Sequence, residues 1–243
     1  TARHVVRPFD IPEHWMRFRS GDWGSARPFS FGWWAVVSDD YRTDTGLVLP
    51  RGCLVRYREW YGMAKDGHGQ PQYNTGLKMV AEAVGAELWN KERNDPKLHY
   101  GVMDPAAFTQ DGGPSLVERI YRGSGNNILF RRAYNARVSR RGAMGGWDQV
   151  RSRMIGEAED RPLLVCFSTC CDSTRTIPLL QHDKDKIEDL DTEQEDHAAD
   201  DWRYACMSRP YIRDAGITED PKFWDSKTLE ELWKDNPKKG SRI

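Results

Sequence analysis

The sequence predicts an α/β fold in which helices cover a mixed β-sheet. The first third of the chain contains β-type segments separated by short polar turns, which indicates consecutive antiparallel strands. The next part alternates helical patterns with short apolar runs, as expected for parallel strands joined by crossover helices. With 243 residues, 38% of them hydrophobic, and ten tryptophans, the chain is long enough to bury a full core in one large domain.

Three segments in the first third have the composition and the bounding turns of strands. They are MRFRSGDW (16–23), FSFGWWAVVS (29–38) and CLVRYREWYGM (53–63). Turn-rich links such as DDYRTDTG connect them, which favours an antiparallel meander.

Helical and strand patterns alternate in the middle of the chain. Apolar residues recur at helical spacing between Leu77 and Leu88, inside the segment NTGLKMVAEAVGAELWNKE. Pro114 suits the first position of a second helix, SLVERIYR. The other predicted elements are the strands HYGVMD (99–104), NILFRRA (127–133) and PLLVCF (162–167), a helix from Gly146 through WDQVRSRM, and a last helix in EDHAADDWRYACMSRP (195–210).

The resulting order, β-β-β-α-β-α-β-α, is the layout of a ribonuclease H-like fold, with a mixed sheet flanked by helices. Residues 1–210 accommodate this domain. Residues 211–243 form a C-terminal extension, in which SKTLEELWKD predicts a short helix.

Acidic residues stand at three element ends that converge at one edge of such a sheet. Asp22 ends the first predicted strand, Asp104 ends the fourth, and an aspartate of DHAADDW opens the last helix. Three carboxylates placed together can hold two divalent cations about 3.5–4 Å apart for phosphodiester hydrolysis. Oxygen ligands favour Mg²⁺ or Mn²⁺ over zinc.

Each acid also has an ordinary interpretation. Asp22 lies before a turn, Asp104 precedes a proline at a strand exit, and the dipole of a helix favours acids at its start. Asp111 in QDGGP is either a fourth ligand or a turn or capping residue. The metal-site interpretation depends on the three acids taken together.

The choice of acid in the last helix is not settled by periodicity. Apolar residues from Ala198 to Cys206 form a stripe; Asp200 lies nearly opposite its centre, and Asp201 lies at its border. Periodicity therefore slightly favours Asp201, although the first turn of a helix beside a sheet edge can face the site without joining the core. Asp196 is a further outer acid.

The net charge is only −1, but the charges are segregated along the chain. Ten acids stand against two lysines between Asp183 and Asp201, which suits divalent cations. The preceding segment, from Arg131 to Arg153, contains seven arginines and one acid, a balance that favours binding to a phosphate backbone. These candidate DNA-binding residues are Arg131, Arg132, Arg137, Arg140, Arg141, Arg151 and Arg153. The ordinary alternative is that each run is solvated surface.

Several function classes are not supported. The sequence has no GxxxxGK[ST] phosphate loop, no run of about 18 apolar residues and no signal peptide, so we expect no ATPase activity, no membrane span and no secretion. Five cysteines, three of them in CFSTCC, favour buried thiols in a reducing compartment over disulfides or zinc.

Five segments, in order, resemble the C-terminal nuclease domain of a tailed-phage large terminase subunit. They are SGDWGSARPFSFGWWAVV, NTGLKMVAEAV, GVMDPAAFTQDGGPS, RRGAMGGWDQVRSRM and EDHAADDWRYACMSRP. The resemblance runs from about Val5 to Pro210, and its most specific part is the HxxDxxRY pattern of His197, Asp200, Arg203 and Tyr204.

This resemblance implies a ribonuclease H-like fold and metal-dependent cutting of concatemeric double-stranded viral DNA during genome packaging. It also places the third catalytic acid on Asp200 rather than Asp201. The family protein carries an N-terminal ATPase motor, so we expect this chain to be an excised nuclease domain. Expected partners are DNA, that ATPase domain, the small terminase subunit and the portal protein, in the host cytoplasm.

Two other classes of function stay open at this point. One is another ribonuclease H-like DNA-processing enzyme, of the resolvase or transposase type. The other is a non-catalytic DNA-binding module whose acids balance its arginines. Residues 211–243 either pack on the nuclease core or attach to a packaging partner.

Overall fold

The computed structural model describes residues 3–139, 143–186 and 188–211. The predicted extension over residues 211–243 lies outside this range except for Tyr211, and Arg140 and Arg141 also lie outside it.

The described residues form eleven strands and five α-helices. The strands are β1 (Val5–Val6), β2 (Met16–Asp22), β3 (Ser30–Val36), β4 (Tyr41–Arg42), β5 (Val48–Leu49), β6 (Leu54–Tyr61), β7 (Met63–Lys65), β8 (Pro71–Gly76), β9 (Gly101–Met103), β10 (Arg131–Arg132) and β11 (Leu164–Phe167). The helices are α1 (Ala81–Glu92), α2 (Leu116–Gly123), α3 (Gly146–Ile155), α4 (Cys171–Thr176) and α5 (His197–Ser208).

Seven strands form one mixed sheet in the order β1-β11-β6-β3-β2-β9-β10. The meander β2-β3-β6 is antiparallel, as predicted, while β9 is parallel to β2 and β11 is parallel to β6. The predicted mixed sheet with flanking helices, the ribonuclease H-like arrangement, is therefore confirmed.

Helices cover both faces of the sheet because the central strands alternate their apolar side chains. On one face Phe18 and Trp34 pack in a core with Trp202 of α5. On the other face Phe31 and Trp33 pack in a second core that includes Val84 of α1 and Ile120 of α2. Trp33 and Trp34 are both fully buried, and a register shift in the pairing of β3 with β6 lies between them.

The register of β2 against β9 brings two of the predicted site acids together. Gly21 pairs with Met103 at the end of this parallel ladder, so Asp22 and Asp104 each directly follow the last pair between the two strands. Neighbouring strands lie about 4.8 Å apart, so the two residues emerge side by side at the carboxyl edge of the sheet. Helix α5 packs against β2, β3 and β9 and begins at this same edge.

Several element boundaries differ from the sequence-based prediction. Helix α1 begins only at Ala81, because Asn74–Gly76 belong to strand β8 and Lys78 has a positive φ of 54°. The predicted strand 127–133 pairs only at Arg131–Arg132, where it forms the sheet edge. Strand β1 and helix α4 have no counterpart in the sequence-based prediction.

The cysteines form no zinc-type cluster among the residues that the structure describes. Cys53, Cys166, Cys170 and Cys206 are buried free thiols, as predicted, whereas Cys171 is exposed. Burial raises the pKa of the Cys166 thiol to about 12. Within the same described ranges, none of the helices is both long and apolar enough to cross a bilayer.

Candidate metal and nucleic-acid site

A cleft of about 320 Å³ opens where β2 and β9 end and α5 begins. Its lining combines acids, bases and two aromatic residues. It is lined by Asp22, Trp23, Arg27, Asp104, Asn135, Arg137, Thr192, Asp196, His197, Asp200, Arg203 and Tyr204. The structure thus brings the three acids that the sequence singled out into one cleft, together with Asp196.

Asp22 is buried beside a histidine. Nδ1 of His197 lies 2.5 Å from Oδ2 of Asp22. Burial raises the pKa of Asp22 to about 7; the hydrogen bond with His197 opposes this rise, and the charges of Asp200 and Asp104 add to it. Burial would lower the pKa of His197, but the contact and the charge of Asp22 outweigh it and raise that pKa. The pair therefore holds a proton that a bound cation would have to displace.

Asp104 lies at the start of a short 3₁₀ turn, Pro105–Phe108. One of its oxygens, Oδ1, accepts a hydrogen bond from the amide of Ala106 at 3.1 Å. Pro105 occupies the first turn position, where its missing N–H costs nothing, and its fixed φ suits the turn. This local geometry holds the Asp104 carboxyl at the mouth of the cleft.

Asp200 lies between two arginines. Arg137 Nη1 donates to Asp200 Oδ2 at 2.9 Å, and Arg203 Nε donates to Asp200 Oδ1 at 2.8 Å. Arg203 is fully buried and also donates to Oδ1 of Asn135 at 2.9 Å. Arg137 pairs with Asp189 as well, at 2.7 Å from its Nε. The Asp200 carboxylate is therefore neutralised by the protein itself.

Asp196, one turn before Asp200, adds to the crowding of negative charge. Burial and the charge of Asp200 together raise the pKa of Asp196 to about 6, against the opposing charges of His197 and Arg137. Four carboxyl groups and one imidazole share the cleft. Such crowding favours any added positive charge.

The donor set matches a hard divalent cation in chemistry but not in its present arrangement. Within residues 3–139, 143–186 and 188–211, no three His, Cys, Asp or Glu side chains are gathered as a ligand group. Asp22 faces His197, and Asp200 faces its two arginines. Mg²⁺ and Mn²⁺ prefer oxygen ligands, and carboxylates on converging elements supply them. The cleft residues therefore fit such a cation, provided that Arg137 withdraws from Asp200.

Asp201 does not face the cleft, and its assignment as an alternative metal ligand is corrected. The residue is fully buried, and Arg56 Nη1 donates to its Oδ2 at 2.6 Å. Ser30 Oγ donates to the same oxygen at 2.9 Å, and Ser20 Oγ donates to Oδ1. A carboxylate that is fully buried and already paired with a buried arginine is not available to a cation in the cleft.

The arginine strip divides into accessible and buried members. Arg131 and Arg132 are exposed on the edge strand β10, and Arg151 is exposed on α3. Arg137 lines the cleft, with its guanidinium 5.2 Å from the ring centroid of Trp147. Arg153 is wrong as a DNA contact, because its guanidinium is buried and donates to the carbonyls of Gly52, Leu163 and Arg209.

The amides at the start of α3 and the acid Asp111 take ordinary structural roles. The amides that open α3 do not form a free phosphate site, because Gly146 N donates to Ala136 O at 2.8 Å and Trp147 N to Arg137 O at 3.0 Å. Asp111 lies in an exposed turn and does not line the cleft.

Sequence reasoning assigned no role to several residues that line the cleft. His197, Arg203 and Tyr204 carried a signal, since they belong to the HxxDxxRY pattern, but only its aspartate was interpreted. No sequence pattern pointed to Asn135. Its Oδ1 accepts a hydrogen bond from Arg203, which lies far from it in sequence.

Neither a protein-family model nor a curated protein matches the chain. Among solved structures, the large terminase of a thermophilic bacteriophage aligns with 85% of the chain at 17% identity and a TM-score of 0.54. The P22 large terminase nuclease domain aligns with 86% of the chain at 15% identity and a TM-score of 0.53. This chain covers 43% of the thermophilic phage protein and 88% of the P22 domain. At these identities the likeness establishes the fold, and the resemblance inferred from the sequence is confirmed at that level.

Replacing Asp22 with Asn should raise the melting temperature in EDTA, and more so at about pH 8 than near pH 4. Burial raises the pKa of Asp22 to about 7 in the folded protein, above its ordinary value of 3.8 in the unfolded chain. Wild-type stability is therefore lost as the pH rises through this interval, and Asn does not titrate. Thermal unfolding of both proteins at the two pH values measures the difference; a lower melting temperature for the variant at the higher pH would contradict it.

Arg153→Ala should lower the free energy of unfolding by about 2–4 kcal/mol, because it removes a buried side chain and its hydrogen bonds to the carbonyls of Gly52, Leu163 and Arg209. Its affinity for duplex DNA, measured well below the melting temperature, should match that of the wild type. Arg151→Ala is the matched control: its stability should change by less than about 0.5 kcal/mol. Urea denaturation and a DNA-binding titration test both variants, and reduced DNA affinity in stably folded Arg153→Ala would contradict the structural role.

Proposed function

We propose that the chain is a nuclease domain of the large-terminase type, which cuts double-stranded DNA by metal-dependent phosphodiester hydrolysis. The observation that carries the proposal is the convergence of Asp22, Asp104 and Asp200 in one cleft, from two parallel strand ends and the first turn of a helix. The likeness of the fold to the P22 nuclease domain and to the large terminase of the thermophilic phage supports the same class of activity.

The three carboxylates would hold two Mg²⁺ or Mn²⁺ ions, and Asp196 would add negative potential beside them. When bound, such ions supply an activated water and stabilise the charge of the leaving oxygen. His197 would orient Asp22 through its Nδ1 contact. Asp104 would keep its orientation through the amide of Ala106.

Duplex DNA would approach along the basic residues beside the cleft. Arg131 and Arg132 expose their side chains on the strand next to β9, and Arg137 stands in the cleft itself. Contacts of arginine with phosphates position a duplex without reading its sequence, so cutting would be sequence-tolerant. Asp201 is paired with Arg56 and would not touch the cations, so Asp200 would be the acid that α5 supplies.

The likeness to large terminases also supports a role in viral genome packaging, with concatemeric DNA as substrate in the host cytoplasm. On this proposal the domain would work with an ATPase domain, a small terminase subunit and a portal protein. A resolvase or transposase type of enzyme would use the same three acids and would differ in its preference for junctions or for strand transfer.

One observation favours a non-catalytic alternative. Asp200 is already paired with Arg137 and Arg203, as expected for acids that merely balance basic residues. The two hypotheses differ in whether added cations displace Arg137.

Wild-type protein should cut plasmid DNA with Mn²⁺ and not with EDTA. Asp104→Asn and Asp200→Asn should each reduce cutting by roughly 100-fold or more, because each removes a charged ligand. Asp111→Asn is the matched control, an exposed acid outside the cleft, and should cut like the wild type. A gel assay with supercoiled plasmid reports the outcome, and full activity in Asp104→Asn or Asp200→Asn would remove that residue from the site.

Arg137→Ala should bind Mn²⁺ more tightly than the wild type in the absence of DNA, because Asp200 loses a competing cation. The same variant should bind duplex DNA more weakly, with a log–log salt slope smaller in magnitude by about one. Arg161→Ala is the control, since Arg161 also bridges two acids, Asp40 and Glu157, away from the cleft. Calorimetric titration with Mn²⁺ tests the competition, which unchanged or weaker binding by Arg137→Ala would contradict.

A further inference from the structure

Asp201 is the hub of a buried polar network that ties helix α5 to three strands. Its carboxylate accepts hydrogen bonds from Ser20 of β2, Ser30 of β3 and Arg56 of β6. Asp201 and Arg56 each have fully buried side chains. The network adjoins the cleft residues along the chain, since Ser20 is two residues before Asp22 and Asp201 directly follows Asp200.

The sheet provides space for this network. A side chain at Gly32 of β3 would overlap the guanidinium of Arg56, so the absence of a Cβ there lets Arg56 cross the sheet toward α5. Trp34 Nε1 donates to Ser20 Oγ at 2.6 Å, which orients that hydroxyl toward Asp201. The Arg56 guanidinium also lies 5.3 Å from the ring centroid of Trp34.

Stability alone is a weak explanation for such a pair. Moving two charges out of water costs more free energy than their mutual attraction usually recovers. Apolar residues of similar volume in the same place often give equal or greater stability. A buried ion pair with further hydrogen bonds does, however, have one satisfactory geometry. It can therefore specify how an element is oriented.

Rotation of α5 is the degree of freedom that this pair can fix. Successive residues of a helix are about 100° apart around its axis, so fixing Asp201 over Arg56 also fixes the direction of Asp200. His197, one turn before Asp201, lines the same cleft as Asp200. A rotation by one residue would remove Asp200 from the cleft and bury it against the sheet.

We propose that Arg56 and Asp201 are positioning residues that fix the rotation of α5, so that Asp200 and His197 face the metal cleft. The inference rests on the proposed nuclease function, because it gives the pair its purpose. Neither residue touches the cations or the substrate. Ser20 and Ser30 complete the orientation by holding both oxygens of Asp201.

The test compares two buried ion pairs of the same chemistry. Arg56→Met/Asp201→Leu removes both charges of the positioning pair, and Glu59, 3.6 Å from Arg56 Nε, keeps its hydrogen bonds from the amides of Asp172 and Ser173. Arg19→Met/Glu92→Leu does the same to the pair between β2 and α1, on the other face of the sheet, where the side chains are 7% and 6% exposed. Both variants are compared with the wild type by calorimetric Mn²⁺ titration and by plasmid cutting, at a temperature where circular dichroism shows each to be folded.

The positioning variant should bind Mn²⁺ about tenfold or more weakly and lose cutting to a similar extent, as for other residues that orient metal ligands. The control variant should bind and cut like the wild type, whatever its melting temperature. Equal Mn²⁺ affinity in a folded positioning variant would overturn the inference. A wild-type protein that neither binds Mn²⁺ nor cuts DNA would instead overturn the proposed function.

If Arg56→Met/Asp201→Leu does not fold, a milder variant tests the positioning role. Ser20→Ala/Ser30→Ala keeps the ion pair but removes two of the three donors to Asp201. Its Mn²⁺ affinity should fall severalfold while the melting curve stays cooperative. An affinity equal to that of the wild type would overturn the positioning role.

Discussion

Repulsion among the carboxylates at the carboxyl edge of β2 and β9 is the constraint that organises this part of the molecule. Asp22, Asp104, Asp196 and Asp200 line one small cleft, and a protein does not gather so many acids without compensating charge. Here the compensation comes from His197, Arg137 and Arg203. Burial, with a further contribution from the charge of Asp200, raises the pKa of Asp22 to about 7 and that of Asp196 to about 6.

The compensating groups differ in how easily they can leave. Arg203 is fully buried, belongs to the same helix as Asp200 and is held by Asn135, so it is a permanent part of the cleft. Arg137 is only partly buried, follows the edge strand β10 and already divides its guanidinium between Asp189 and Asp200. A phosphate of DNA is a natural alternative partner for Arg137, and a divalent cation is a natural alternative partner for Asp200. Binding of DNA and binding of metal would then support each other.

The fold shows where local sequence patterns are informative. The β2-β3-β6 meander and the convergence of Asp22 with Asp104 could be predicted, because strand patterns and parallel pairing determine which ends of the elements meet. The start of α1 could not, because Asn74–Gly76 pair with a strand that shows no strong β pattern of its own. Tertiary pairing there overrides the helical spacing of the residues that follow.

Asp201 and Arg153 show the same limit at the level of side chains. Asp201 is buried because Ser20, Ser30 and Arg56 supply its hydrogen bonds. Arg153 donates to the carbonyl oxygens of Gly52 and Arg209. These partners lie far away in sequence, so no local pattern could reveal them, and only the family pattern HxxDxxRY favoured Asp200 over Asp201.

Divalent cations held between Asp22, Asp104 and Asp200 are the central feature of the proposed mechanism. The most direct measurement is a crystal structure after soaking in Mn²⁺, with anomalous diffraction data to locate the metal. We predict Mn²⁺ within about 2.3 Å of oxygens from all three carboxylates, with Arg137 withdrawn from Asp200. A fully ordered cleft without anomalous density at saturating Mn²⁺, with Arg137 still on Asp200, would contradict this mechanism.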